Sequence, residues 1–268
     1  MSPSALGRVC SALAALTPLI ACSSAASSKA LHRVSWGPPP LGRDARVAQS
    51  REAWRAARDR LAELQREAST PRTLRISLVL REPMTGRTLE ARGAVAIAPP
   101  SALRMILLGP GGTTALDLWL DRDRFRFAVP AIDLLRRGDA STPRASLRGL
   151  PIDFLRWWLL RPATGALLWA AEEDGASRLR LRDGAAIIDL RAAFGGRIEA
   201  RRTTWAKALP EAPLRLIDEE TVASDRIGCA EVRYQQASTG LEVTVRCEGE
   251  DLSPPNPRAF SDPDGGAP

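Results

Sequence analysis

Leu103-Arg104-Met105-Ile106-Leu107-Leu108-Gly109-Pro110-Gly111-Gly112-Thr113-Thr114-Ala115-Leu116-Asp117-Leu118-Trp119-Leu120-Asp121 decides the fold of this chain. Leu103, Met105 and Leu107 share one side of an extended strand, and the Gly-Pro-Gly-Gly run breaks it. Leu116, Leu118 and Leu120 then alternate with Asp117, Trp119 and Asp121. Period two on both sides of a glycine-rich turn predicts an antiparallel hairpin with one apolar face and one polar face. Phe125, Phe127 and Val129, alternating with Arg124 and Arg126, add a third strand to it. Trp119 is the exception on the polar face. It is expected under a crossing segment or at a membrane or partner surface.

The same pattern extends outward. Leu74, Ile76, Leu78 and Leu80 alternate upstream, and Leu89, Ala91, Gly93, Val95 and Ile97 follow a turn at 83–86 until Pro99-Pro100 stops them. Before them, Asp44 caps a helix to about Ala68, whose stripe of Val47, Trp54, Ala57, Leu61 and Leu64 suits a helix laid on a sheet. Residues 130–138 read as a short helical turn. Pro151 opens a second helix, through Arg161, carrying Phe154, Leu155, Trp157, Trp158 and Leu159. Strands resume at 178–182, 185–191, 197–204, 214–217, 227–235 and 241–248, with hairpin turns at Asp183-Gly184 and Gly195-Gly196. The fold class is therefore mainly β (α+β): one curled antiparallel sheet of about eleven strands, covered by an N-terminal helix and a central Trp-rich helix.

Arg8 followed by the mostly apolar run Val9–Ile20 reads as a cleaved export signal, residues 1–21, too short to span a bilayer. Residues 22–44, with serines early and Pro38-Pro39-Pro40 late, read as a disordered tether. The folded domain is placed at 45–250, and the Pro-, Asp- and Gly-rich tail 251–268 is expected to be disordered. Apolar content of 44% and charged content of 26% are those of a globular protein.

A net charge of +7 invites a nucleic-acid reading, but the arginines are dispersed among 31 acids rather than gathered in a stripe, so no nucleic-acid partner is expected. His32, in the tether, is the only histidine, which excludes His-based triads and most zinc sites. No nucleophile elbow or P-loop is present, and neighbouring acids such as Glu172-Glu173 and Glu219-Glu220 would face opposite ways on a strand. The reading is a non-enzyme with no cofactor, no metal and no catalytic residue, expected to be a monomer. In an oxidising compartment Cys229 and Cys247 suggest a disulfide. In the simplest hairpin register, however, their sulfurs fall on opposite faces, so a bulge would be needed to join them.

Two resemblances add to this. Leu19-Ile20-Ala21-Cys22 resembles the lipobox of bacterial lipoproteins, which implies that Cys22 becomes the mature N-terminus and carries acyl chains such as palmitate. The strand–loop–strand at 103–116 around its Pro-x-Gly turn, and Gly149-Leu150-Pro151-Ile152 leading to Leu155-Arg156-Trp157-Trp158-Leu159-Leu160, resemble LolB, the outer-membrane receptor of the lipoprotein-localisation system. That resemblance covers about 60 residues closely. It implies an open half-barrel with a helical lid over an apolar cavity that accepts acyl chains of lipoproteins from a LolA-like periplasmic carrier. Location would be the outer membrane, facing the periplasm and lipid-anchored; Ser23 after Cys22 fits that sorting.

On this view Leu103, Met105, Leu107, Leu116, Leu118, Leu120, Phe125, Phe127, Trp157 and Trp158 line the acyl cavity. The residues alone support equally a plain core beneath the helices, in which case the chain is a structural or assembly lipoprotein serving as a docking scaffold. In the family, the loop corresponding to Gly109, Pro110, Gly111 and Gly112 projects an apolar residue toward the bilayer. Gly111 stands at that position here, which implies a lost or altered insertion activity.

Overall fold

The computed structural model of the chain describes residues 51–82, 86–173, 175–206, 213 and 215–265. The signal, Cys22, the tether, Asp44 and Val47 lie outside the described residues.

Thirteen strands form one antiparallel sheet: β1 (Arg72–Arg81), β2 (Thr88–Ala98), β3 (Ala102–Leu108), β4 (Thr114–Asp121), β5 (Arg124–Val129), β6 (Leu134–Gly138), β7 (Ala166–Glu173), β8 (Ala176–Asp183), β9 (Ala186–Ala193), β10 (Ile198–Ala206), β11 (Arg215–Ser224), β12 (Glu231–Gln236) and β13 (Glu242–Asp251). Their order is β6-β5-β4-β3-β2-β1-β13-β12-β11-β10-β9-β8-β7. The chain meanders outward from β1 to β6. It then crosses to β7 and meanders back until β13 pairs with β1. The edges β6 and β7 do not pair with each other, so the sheet stays open.

Alternation does the sorting. β8 and β9 bury Leu179, Leu181, Ile188 and Leu190 and turn Arg178, Arg180 and Asp189 outward. The buried apolar side chains merge into one core on the concave face, closed by α1 (Arg51–Ala68) and α2 (Ile152–Leu160). From α1 come Ala57, Leu61 and Leu64 of the stripe expected from sequence, joined by Ala68, with Trp54 half-buried at its start. The Arg72 guanidinium donates to the Glu67 carbonyl at 2.9 Å, satisfying an orphan acceptor of the last helical turn. The Gln65 amide donates to the Ala163 carbonyl at 3.0 Å, which ties α1 to the segment leaving α2.

Among the described residues there are thirteen strands rather than about eleven. β6 was expected within a helical turn, but that turn is only Pro130–Ile132, and Asp133 ends it in the left-handed region at φ 50°. β7 is alanine-diluted and carries a register shift between Leu167 and Trp169, which erases the alternation that would reveal it. Next, 225–230 is irregular, so Cys229 escapes strand alternation altogether. On β13, Glu248 is an extra residue between Cys247, opposite Ile76, and Gly249, opposite Arg75. Freed on both sides in this way, Cys229 and Cys247 are joined in a disulfide.

A further correction concerns the tail. Residues 251–265 are not a loose end. A helical turn, Pro257–Phe260, lies on the convex side of β3 and β4, its Asn256 side chain accepting from the Arg258 amide at 3.0 Å. Its composition offers few apolar residues to bury, but its carboxylates find arginines on the sheet (below).

β2 approaches β3 closely at one glycine. A Cβ on Gly93 would collide with the Ile106 carbonyl of β3, so only glycine permits this close strand approach. Gly93→Ala is expected to cost about 1–3 kcal/mol, as overpacking does. Chemical denaturation would measure it; an unchanged midpoint would refute the close-approach argument.

Candidate functional site

The ten residues expected to line a cavity do come together. Register aligns Met105, Leu118 and Phe127 across β3, β4 and β5, with Leu103, Leu120 and Phe125 on the next inward rung and Leu107 opposite Leu116. All eight are at most 2% exposed, and Trp157 and Trp158 of α2 are scarcely more so. They pack against one another rather than around open space. Two small cavities border α2. One, of about 10 Å³, touches Trp158, Leu159, Arg72 and Ile97. The other, of about 20 Å³, is lined by Arg148, Asp153, Asp218, Glu220 and Gln236 among others. Each holds about one water and neither approaches the several hundred Å³ of a ligand site. Of the ten residues only Trp158 borders either.

The Gly109–Gly112 loop is a tight exposed turn. The Gly109 amide donates to the Thr113 carbonyl at 2.9 Å, and Gly111 and Gly112 have φ of 88° and 78°. Exposed Ile106 and Leu108 sit just before it on β3.

A polar cluster beneath α2 is absent from the sequence expectations. Arg202 of β10 stands opposite Glu220 of β11. Both are buried, and their side chains meet at 3.2 Å. The Tyr234 hydroxyl of β12 donates to the other Glu220 oxygen at 3.0 Å. Both Glu220 oxygens are thus engaged, while the Arg202 Nε is buried without a hydrogen-bond partner.

Burial drives the Glu220 carboxyl above its ordinary value, with Arg202 and the Tyr234 hydroxyl pulling the other way. The Tyr234 phenol is likewise pushed up by burial first and by the Glu220 charge second. The signal for this cluster was present. Arg202 is in phase with inward Ile198 and Ala200, Glu220 with Val222, and Tyr234 with Val232.

α2 rests on this network. Phe154 stacks on the Tyr234 ring, centroids 4.1 Å apart, and the Arg202 guanidinium lies 5.5 Å from the centre of the Trp157 ring. The Gly149 amide donates to Gln236 Oε1 at 3.4 Å, fixing the approach to the helix. Apolar side chains hold the helix in place, and aromatic and charged contacts set which way it faces. Among the described residues no group of three or more His, Cys, Asp or Glu side chains is placed to hold a metal. No described helix is long and apolar enough to cross a membrane, which says nothing of strands.

The sequence matches no protein-family model and no curated protein. Solved structures of similar shape include a LolA superfamily protein from Nitrosomonas europaea, 11% identical, spanning 75% of this chain and 97% of its own with a TM-score of 0.45. A putative outer membrane lipoprotein-sorting protein domain from Vibrio parahaemolyticus is 10% identical, covering 76% and 97%, with a TM-score of 0.43. A DUF1329 family protein from Desulfovibrio piger is 12% identical, covering 78% and 97%, with a TM-score of 0.49. With so few residues shared and TM-scores this low, none of the three bears on what this chain binds.

The buried carboxyl has a pH consequence. Because the folded state raises the Glu220 pKa above its ordinary 4.5, the native protein holds this proton more tightly than the unfolded chain. Stability from this group is full below pH 4.5 and is lost as pH rises through the folded pKa. Glu220→Gln cannot ionise. Its Tm relative to the parent protein is therefore expected to climb from acid to neutral pH, as scanning calorimetry would show. Carboxylates with lowered pKa, such as Glu231, are common to both proteins and cancel. A pH-independent difference would mean that Glu220 does not titrate as argued.

Proposed function

We propose that this chain is a non-enzymatic lipoprotein of the bacterial cell envelope, anchored to the outer membrane through Cys22, that binds acyl chains beneath α2. The clients would be lipoproteins delivered by a LolA-like periplasmic carrier. One observation carries the reading: helices cover the apolar concave face of a sheet that does not close, and over β2 and β3 that cover is the nine-residue α2. Both of its flanks, 139–151 and 161–165, are irregular or short 3₁₀ segments, so it can lift without breaking a strand pairing. Lifting it would carry Trp157 and Trp158 away from the eight inward-facing strand residues named above.

The LolB-like segments, which lie at the β3–β4 hairpin and at the start of this helix, support the same reading. So does the disulfide, which belongs to an oxidising compartment. Gly111 in the exposed β3–β4 loop argues for reception of clients rather than for strong insertion into the bilayer.

A second reading is favoured by a different observation. Leu118 and Phe127 are packed as in an ordinary core, and the cavities beside α2 are water-sized. A docking scaffold of the envelope would look the same.

Two measurements separate them. Native mass spectrometry of the protein extracted from membranes is expected to find co-purified acyl lipid. Phe127→Ala is expected to lower stability by about 3–5 kcal/mol, as for a buried phenylalanine, and also to weaken binding of a fluorescent fatty acid. The full stability loss with unchanged affinity would sink the acyl-binding reading. For the anchor, Cys22→Ser is expected to move the protein to the soluble periplasmic fraction. A variant still sedimenting with membranes would refute it.

A further inference from the structure

The convex face carries an arrangement that the acyl-binding reading does not use. Register aligns Arg104, Trp119, Arg126 and Arg137 as one cross-strand rung over β3, β4, β5 and β6. Like charges placed directly opposite, as Arg126 and Arg137 are, repel unless an anion lies between them. On the neighbouring rung Asp117 pairs with Arg104 and, at 2.9 Å, with Arg126. It neutralises one of the three guanidiniums and leaves two.

The tail supplies two carboxylates. Asp264 bridges Arg126, at 3.0 Å, and Arg137, while Asp262 reaches Arg137 at 3.3 Å. Between them and the sheet, the Trp119 indole N–H donates to the Phe260 carbonyl at 2.7 Å. That covering explains why a tryptophan on the polar face is only 2% exposed.

The two sides are built unequally. The sheet side is rigid: four side chains on four paired strands, with the Arg104 and Arg126 side chains each only 15% exposed. The tail side adds no strand pairing, and most residues of 252–265 are exposed. Ion pairs at a surface hold such a segment weakly and are screened by salt.

We propose that this rung is a docking site for an extended acidic segment of another protein, reading two carboxylates two residues apart and one main-chain carbonyl. The chain's own tail occupies the site as a tethered competitor. Tethering gives the tail a high effective concentration, so a partner binds only where it displaces the tail or where the tail is weakened. The site lies on the face opposite α2 and stands independently of acyl binding.

The test uses the full chain with Asp262→Asn and Asp264→Asn together, and a fluorescein-labelled peptide of residues 252–265 as the probe. The doubly substituted chain is expected to bind the peptide in trans, with the parent chain at least about tenfold weaker because its own tail competes. Adding Arg126→Gln and Arg137→Gln to that chain, or replacing both aspartates in the peptide by asparagine, is expected to abolish binding.

Nitrogen-15 spectra follow the same event at the indole. The Trp119 N–H is expected to shift in the doubly substituted chain and to return when the peptide is added. Absence of peptide binding to that chain, equal binding to the parent, or a Trp119 signal that the peptide leaves unmoved would each overturn the proposal. Binding of anionic vesicles instead of the peptide would overturn it in favour of a lipid surface.

Discussion

A sheet of thirteen antiparallel strands that does not close has an apolar concave face and no second sheet to lay against it. Everything else in the molecule answers to that constraint. Two helices of modest length provide the cover, one entering ahead of β1 and one crossing between the edge strands β6 and β7. Because α2 has few backbone ties to the sheet, its orientation depends on side chains. The Arg202–Glu220–Tyr234 network supplies that orientation from three adjacent strands. A buried ion pair is weak evidence of stability in its own right, since burial of both charges opposes their attraction. Its use here is to present a flat guanidinium and a phenol ring to Trp157 and Phe154, an arrangement that apolar residues alone would not fix.

Arginine serves this chain in three settings. Inside, Arg202 lies against an indole and a carboxylate. At the end of α1, Arg72 reaches a helix carbonyl. Outside, a rung of arginines with one tryptophan gathers acidic partners from β4 and from the tail. A planar guanidinium suits all three, because it stacks and forks where an ammonium could only attract. The high net charge therefore does not mark a uniformly basic surface; many of these cations are already committed to carboxylates within the fold.

Strict alternation in β1 to β5 made that half of the sheet legible in the sequence, and the covering helices were legible from their stripes. What stayed hidden lacked periodicity or depended on partners distant in sequence. β7 is blurred by alanine and a bulge, and β6 is short and exposed. The tail looks unfoldable when read by itself, since Asp262 and Asp264 gain order only from Arg126 and Arg137 more than a hundred residues earlier. At the candidate site alternation places the eight apolar strand residues on one face, but it cannot distinguish a wall from a core. The polar network hides for another reason. Glu219-Glu220 reads as a pair of neighbours, whereas the informative spacing is Glu220 with its inward-facing cross-strand partner Arg202.

The pairing of β1 with β13 has a consequence for how the chain acquires its structure. Ile76 meets Cys247, and no strand from the intervening sequence can stand in, because β2 and β12 already occupy the outer flanks of the two. The first strand must wait for the last. Separations this long raise the contact order and slow folding, and the two arms of the meander remain unjoined until the residues of β13 are available. A nascent chain thus keeps an open seam throughout its synthesis. Once that seam zips, the Cys229–Cys247 bond ties the final strand to the loop before β12, and the event that completes the sheet also secures it.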